Sequence, residues 1–358
     1  MNVHLPKRIV IIAETRESWA KHGPAAKTNP DNLEKLKYFL PRNGDIYDLY
    51  KEVAVVGEFH NVEVQFIRLN SGKELYERLS TIIDEPLIIW SLSDGQGHYR
   101  GGHLHSFASI LGIPCFGSST AVQSICSNKY ISSLSLLHAN VKVPWSCYLE
   151  GDTVLSCHPE KLVSGPFFVK PNHLGSQIGI NRNSLAKTWK DAINRSIELK
   201  KEFNTRAIVQ KYIKSIPIRV SHVSISGRDT FGVNYLKFVG SNGECEDFPM
   251  DSVDNHTEWK TTFVKNTEIP ENTFTQIERI CSVAKEYLKV KDYFGFDSGI
   301  SENGDVFIFE INTLPYVNKV FLEYANELGY SSVGECFFYS LVESFNKQLP
   351  YSRWTEVK

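Results

Sequence analysis

Glu310 and Asn312 sit two residues apart in GDVFIFEINTLP, residues 304 to 315, on a run that is otherwise apolar. Just upstream, FDSGISENG brings Asp297 and the dipeptide Asn303–Gly304, a strong two-residue hairpin signal because both turn positions favour positive φ. With that turn, Asp297 falls directly opposite Glu310, and Asn312 lies further along the same face. Like charges opposed on a buried hairpin require something positive between them. A hard divalent cation takes carboxylate and amide oxygens and keeps positions for water and phosphate, so Asp297, Glu310 and Asn312 form a candidate Mg²⁺ set. The expectation depends on the two-residue turn, since a longer one shifts the register. The competing picture is an exposed hairpin with solvated charges. Val306, Phe307, Ile308, Phe309 and Ile311 argue against it by making both faces apolar.

FFVKPNHLGSQIGI, residues 167 to 180, is the second unusual stretch. Lys170 ends an apolar strand, and a turn containing Gly175 and Ser176 leads into what reads as another strand. Backbone N–H groups of a glycine-containing loop cradle phosphate oxygens, and a strand lysine adds a point charge. Taken alone this pattern equally describes an ordinary hairpin with a surface lysine. Lys129, in the first turn of the helix SNKYISSLSLLHAN, is equally ambiguous, with Ser127 or Asn128 as its cap. Other nucleotide motifs fail: GPAAKT lacks the P-loop spacing, and GQGHYRG misses the dinucleotide fingerprint. His98, His103 and His105 lack an acidic partner and read as polar surface. No Ser-His-Asp or Cys-His pairing rises above background.

The elements that must position these groups alternate between strand and helix. RIVIIA, VEVQFIRL and PLIIWSLS read as strands, with SGKELYERLSTII and GGHLHSFASILG as helices, implying a parallel α/β layer over residues 1–120. Residues 121–213 hold strands PFFVKP, SQIGIN and RAIVQKYI around the helical SLAKTWKDAINRSIELKKEF. Residues 214–358 hold strands IRVSHVSI and GVNYLKFVG, a polar loop over 241–262, the helix FTQIERICSVAKEYL and the closing hairpin. At 358 residues the chain calls for two or three cores. A formal net charge of −2 gives no electrostatic case for nucleic acid or an anionic membrane. Apolar runs are strand-length, far short of a membrane span, and MNVHLPKR does not begin a signal peptide. Seven scattered cysteines, odd in number and never in C-x-x-C, point to reduced thiols in a cytoplasmic protein, without a disulfide framework or zinc site.

Taken in order, GGHLHSFASILGIPCFGSS, SNKYISSLSLLHANVKVP, FFVKPNHLGSQIGI, VQKYI and GFDSGISENGDVFIFEINTLP resemble ATP-grasp ligases, most closely the D-alanine–D-alanine ligase family, over residues 85 to 325. The resemblance implies an α/β ATP-grasp fold of three domains. These are an N-terminal Rossmann-like domain (1–120), a central subdomain (121–213) and a C-terminal domain with the metal site (214–358), with ATP between two antiparallel sheets. It implies ATP and Mg²⁺ as cofactors, with two ions and Mn²⁺ as a substitute, and a homodimer. Matched by position, Lys129 and Lys170 become phosphate ligands, and Gly175 and Ser176 the loop over the phosphates. Gln210, Lys211 and Ile213 become adenine contacts, Phe309 the residue packed on the adenine ring, and Lys260 a γ-phosphate contact. The implied chemistry is attack of a small-molecule carboxylate on the γ-phosphoryl group, followed by capture of the acyl-phosphate by an amine.

Several departures from the family concern the substrates rather than ATP. Gly295 replaces an arginine that stabilises the tetrahedral intermediate, Tyr316 replaces a glycine, and Phe321 stands near a serine that binds the acceptor carboxylate. Pro217 or Ile218 replaces a ribose-binding glutamate. A lost arginine removes a fixed positive charge, so another cation must act, with Arg219, Lys319 and Arg100 as candidates. Expected activity is therefore carboxylate–amine ligation with a different donor and acceptor. The alternatives are D-alanine–D-alanine ligation for the cell wall and a non-catalytic ATP-binding regulator.

Overall fold

The computed structural model describes residues 3–13, 43–68, 72–92, 102–159, 164–175, 177–225, 228–239, 245–246, 258–315, 317 and 319–354. The first layer is a parallel sheet of β1 (Arg8–Ala13), β2 (Glu63–Arg68), β3 (Leu87–Ser91) and β4 (Cys115–Phe116), in the order β2-β1-β3-β4. RIVIIA is apolar at every position after its arginine because both faces of a parallel sheet are covered. Helices α1 (Asn43–Phe59), α2 (Gly72–Ser80) and α3 (His103–Ile110) connect these strands, and Gly112 closes α3 at φ +66° as expected.

Helices α4 (Thr120–Ser127) and α5 (Lys129–His138) lead to the second sheet. It comprises β5 (Ser146–Glu150), β6 (Thr153–Cys157), β7 (Phe167–Pro171), β8 (Leu185–Ala186) and β9 (Ala207–Lys211), in the order β6-β5-β9-β7-β8. Of SQIGIN, expected as a strand, residues 177–179 form a turn instead: Ile178 N–H donates to Gly175 O and Ile180 N–H to Gln177 O. Helix α6 (Trp189–Phe203) covers one face, started by a reciprocal Thr188–Asp191 capping box. Its Leu199 and Phe203 join Val169 and Val209 in one core.

The third sheet runs β12-β11-β10-β14-β15, from β10 (Ser215–Ile225), β11 (Arg228–Val239), β12 (Cys245–Glu246), β14 (Tyr293–Ser301) and β15 (Val306–Asn312). β13 (Glu258–Val264) also pairs with β11, so the segment expected as a polar loop supplies strands. Helix α7 (Glu271–Glu286) covers one face through Ile277, Ile280 and Ala284. α8 (Lys319–Glu327) and α9 (Val333–Gln348) follow the hairpin, within the C-terminal region for which no helix after the hairpin is expected. α9 returns to the first layer, where Phe337 stacks on Trp90 at 5.0 Å and Gly334 meets Glu52 of α1 so closely that a Cβ would lie 2.3 Å from Glu52 Cβ. No helix among the described residues is long and apolar enough to cross a membrane.

The cysteine expectation needs correction. Cys147 and Cys157, ten apart and directly paired across β5–β6, form a disulfide, whereas Cys115, Cys126, Cys281 and Cys336 are buried thiols outside any disulfide. Pairing across a hairpin places the two sulfurs together whatever their sequence spacing suggests.

Candidate active site

The hairpin that carries the carboxylates reaches the expected pairing by a different path. Only Gly304 takes positive φ (+78°), Ser301 N–H bonds Asp305 O, and the loop therefore holds three residues, 302 to 304. Ile300 consequently pairs with Val306 and Ser298 with Ile308, one step off the two-residue register. A bulge between Asp297 and Ser298 absorbs Phe309 and restores Asp297↔Glu310 and Gly295↔Asn312. Val306, Ile308 and Ile311 all enter the core under α7, so Phe309 and Glu310 both emerge on the other side. The bulge therefore puts Phe309 on the same side of the sheet as Glu310, where strict alternation would send it to the opposite face.

Cross-strand pairing aligns Asn234, Arg219, Asp297 and Glu310 in one row on the face away from α7. Arg219 grips Asp297 with both arms, Nε to Oδ1 at 2.7 Å and an η nitrogen to Oδ2 at 3.1 Å. Asn312 Nδ2 donates to Asp297 Oδ2 at 3.4 Å. The adjacent row consists of Gly232, Ser221, Gly295 and Asn312, with little side chain above the sheet. Pro315 covers Gly295, where a Cβ would lie 3.3 Å from Pro315 Cβ.

The second sheet faces this surface. Alternation sends Val169 and Val209 into the α6 core and turns Lys170, Ile208 and Gln210 the other way. Lys170 Nζ reaches Phe309 O at 3.3 Å, and Gln210 Nε2 bonds Ser146 Oγ at 3.3 Å. Lys129 is buried rather than solvated. Its Nζ donates to Leu174 O at 2.7 Å and lies 3.3 Å from Glu310 Oε2, linking the glycine loop to the carboxylates. Asn128 caps α5 by accepting from Ile131 N–H, and buried Asn172 accepts from Tyr130 N–H and donates to Asn128. These asparagines hold Lys129 in place, and sequence reading noted only the cap.

Burial pushes the Lys170 ammonium down to about 8 against the pull of Glu310. Burial also raises the Asp297 carboxyl, opposed by Arg219. For Glu310 burial acts upward, but Lys129 and Lys170 together outweigh it and hold the carboxyl at about 2. Two carboxylates and an amide thus share one face with three cations balancing them. No cluster of three His, Cys, Asp or Glu exists among the described residues, so a hard cation would rely on this mixed set of oxygens. The set fits Mg²⁺ chemically: its donors are all oxygens, and each carboxylate is paired with a cation, Arg219 on Asp297 and Lys129 on Glu310, that a metal can displace.

Next to the row, a cavity of ≈ 230 Å³ is lined by Tyr212, Lys214, Ser215, Pro217, Leu236, Lys237 and Phe238. The Phe309 ring lies over Gly299, where a Cβ would be 2.9 Å from Cζ. Lys211 Nζ is bound to the carbonyls of Ser164 and Gly165, and Ile213 follows in the connection to β10. Lys260 does not join the cluster. It pairs with exposed Lys237 on β13–β11, and alternation places both with Tyr235 on the face away from Asp297. Phe321 is fully buried against Phe337, in the core rather than at a substrate. His105 is also structural: Nε2 pairs with Phe116 O and Nδ1 with Gln123, and burial lowers its pKa to about 4. His103 is exposed. His98, Arg100, Ser176 and Tyr316 lie outside the described residues, as does the side chain of Lys319.

Known proteins resemble this chain in sequence and in fold. The chain is 28% identical over 269 residues to D-alanine–D-alanine ligase of Clostridium botulinum, covering 70% of this chain and 83% of that protein. The structure of D-alanine–D-alanine ligase from Bacillus anthracis complexed with ATP superposes with a TM-score of 0.62 at 19% identity, over 96% of this chain and 98% of that one. VanG D-Ala:D-Ser ligase from Enterococcus faecalis superposes at 0.59 and 14% identity, over 96% and 99%. These neighbours establish the α/β ATP-grasp fold. The family model for the D-ala D-ala ligase C-terminus matches residues 147–331, which hold both facing sheets and every carboxylate of the row, and the chain belongs to that family.

Proposed function

We propose that the protein is an ATP-dependent ligase joining a carboxylate, that of an amino acid, to an amine through an acyl-phosphate, with release of ADP and phosphate. The observation that carries this reading is the row Arg219–Asp297–Glu310 facing Lys129 and Lys170 across two antiparallel sheets. Asp297, Glu310 and Asn312 would hold Mg²⁺, as two ions, with Mn²⁺ as a substitute. When bound, the metal neutralises charge on the transferring phosphoryl group. Lys129 and Lys170 hold phosphate oxygens, and Gly175 and Ser176 cover them with backbone N–H groups. The purine lies by Gln210, Lys211, Ile213 and Phe309, and the cavity beside Pro217 and Leu236 takes the rest of the nucleoside.

In the first step a carboxylate oxygen forms a bond to γ-phosphorus, and the bond to the β-phosphate oxygen breaks to leave ADP. The amine nitrogen then bonds the acyl carbon, phosphate leaves with its electron pair, and the amine proton passes to solvent or phosphate. Arg219 is the cation for this second step. It lies diagonal to Gly295, because Ser221 pairs with Gly295 and Arg219 with Asp297, so charge missing on β14 is present one strand over. Arg100 and Lys319 remain secondary candidates for that role. A cytoplasmic setting follows from the need for ATP. The three-domain division at 120 and 213 accords with three sheets in that order.

The test is ADP release from Mg²⁺-ATP with panels of D- and L-amino acids and amines, in wild type, Asp297→Asn and Glu310→Gln. Loss of about two to three orders of magnitude in both variants is expected. Wild-type rates in either remove the assignment. Turnover with D-alanine alone would show that the substrates have not diverged.

A further inference from the structure

Beyond the residues that face the slot, one buried cation contacts the glycine loop from behind. Arg195 on α6 is 3% exposed, although it is a helix residue on a surface-covering element. Its guanidinium donates to Gly179 O at 2.6 Å and to Glu198 Oε2 at 2.7 Å, and its Nε has no partner among the described residues. Gly179 is the foot of the loop that begins at Asn172. It takes φ +73° and has no room for a Cβ, which would lie 2.9 Å from Pro171 Cγ and 3.0 Å from Leu199 Cδ2. Leu174 and Ile178 are both buried in the α6 core, and Lys129 holds Leu174 O at the other foot. Between these pins Ile178 N–H donates to Gly175 O at 3.1 Å, which ties Gly175 to the same foot.

We propose that Arg195 is a positioning residue for nucleotide binding: through Gly179 O it fixes the rear foot of the loop, and so the height of Gly175 over the ATP phosphates. This rests on the reading of that loop as the phosphate cover. A buried guanidinium needs acceptors, and here the main-chain acceptor belongs to the loop itself, so the loop cannot shift without leaving a buried charge less satisfied. Glu198, by contrast, is half exposed and among the described residues bonds only the arginine's other arm, with no contact to the loop.

The experiment measures affinity for a fluorescent ATP analogue, together with KM for ATP, carboxylate and amine, in wild type, Arg195→Gln, Arg195→Lys and Glu198→Gln. Loss of a charged hydrogen bond to the foot is expected to weaken nucleotide binding about tenfold in Arg195→Gln. KM for ATP rises by the same factor, and the KM values for carboxylate and amine stay within about twofold. Arg195→Lys keeps the cation and recovers most of the affinity, and Glu198→Gln behaves as wild type. If Arg195→Gln does not fold, the contrast between Arg195→Lys, weakened about threefold, and unchanged Glu198→Gln carries the test. Equal affinity in all folded variants, equal loss in Glu198→Gln, or a parallel rise in every KM overturns the positioning role. Wild type that neither binds nor turns over ATP overturns the loop reading and this inference together.

Discussion

Replacing Asp292 with asparagine should remove a specific acid-side change in stability. Asp292 lies where β14 begins, at φ +60°, a conformation asparagine adopts as readily as aspartate. Its Oδ2 accepts from Gly117 N–H at 2.7 Å and Ser344 Oγ at 2.9 Å, tying the end of β4 to α9. Burial pushes the carboxyl from 3.8 up to about 6, against these hydrogen bonds and the nearby Lys347 and Lys291. A folded-state value above the unfolded one means that the folded state binds more proton between pH 4 and 6. The contribution is therefore fully present below about 4 and is lost as pH rises through about 6. The interval corresponds to at most about 3 kcal/mol. Asparagine keeps an oxygen for both donors and does not titrate. Urea midpoints at pH 4.5 and pH 7 for both proteins, compared as a double difference, should show wild type losing more stability than Asp292→Asn on going to pH 7. Equal pH dependence in the two would refute the reasoning.

Other outcomes follow from close contacts and pairings. Gly232→Ala would place a Cβ 2.7 Å from the Tyr324 ring, whose hydroxyl is bound to Thr230, and should cost about 1–3 kcal/mol by thermal unfolding. In denaturant without reductant, Cys115, Cys126, Cys281 and Cys336 should react with a thiol reagent, whereas Cys147 and Cys157, which are joined, should not. Arg219→Lys, which keeps charge but loses the two-armed grip on Asp297, should lower kcat about tenfold or more while leaving ATP affinity near wild type.

The sequence exposed much of this site, and its limits have physical causes. Asp297, Glu310 and Asn312 were legible because their spacing on an apolar hairpin is costly without a compensating charge. The turn was misread: Asn303–Gly304 favours a two-residue loop, but only Gly304 uses positive φ, and the bulge at Phe309 carries no local signature. That two departures cancel to restore Asp297↔Glu310 could not be inferred from spacing. Arg219 could be named as a candidate cation, but its grip on Asp297, 78 residues away, depends on which strands become neighbours. The burial of Lys129 required the Asn128–Asn172 pair, two polar residues whose roles appear only when α5 and β7 meet. Lys260 failed for the simplest reason: one step of strand alternation turns a side chain to the opposite face.

The central claim, acyl-phosphate ligation, is tested most directly by isotope transfer. The amino acid that stimulates nucleotide turnover is supplied with ¹⁸O in its carboxylate, and nucleotide and phosphate products are analysed by mass. ADP together with inorganic phosphate carrying one carboxylate-derived ¹⁸O is the predicted result. AMP and pyrophosphate, or phosphate without label, would contradict it.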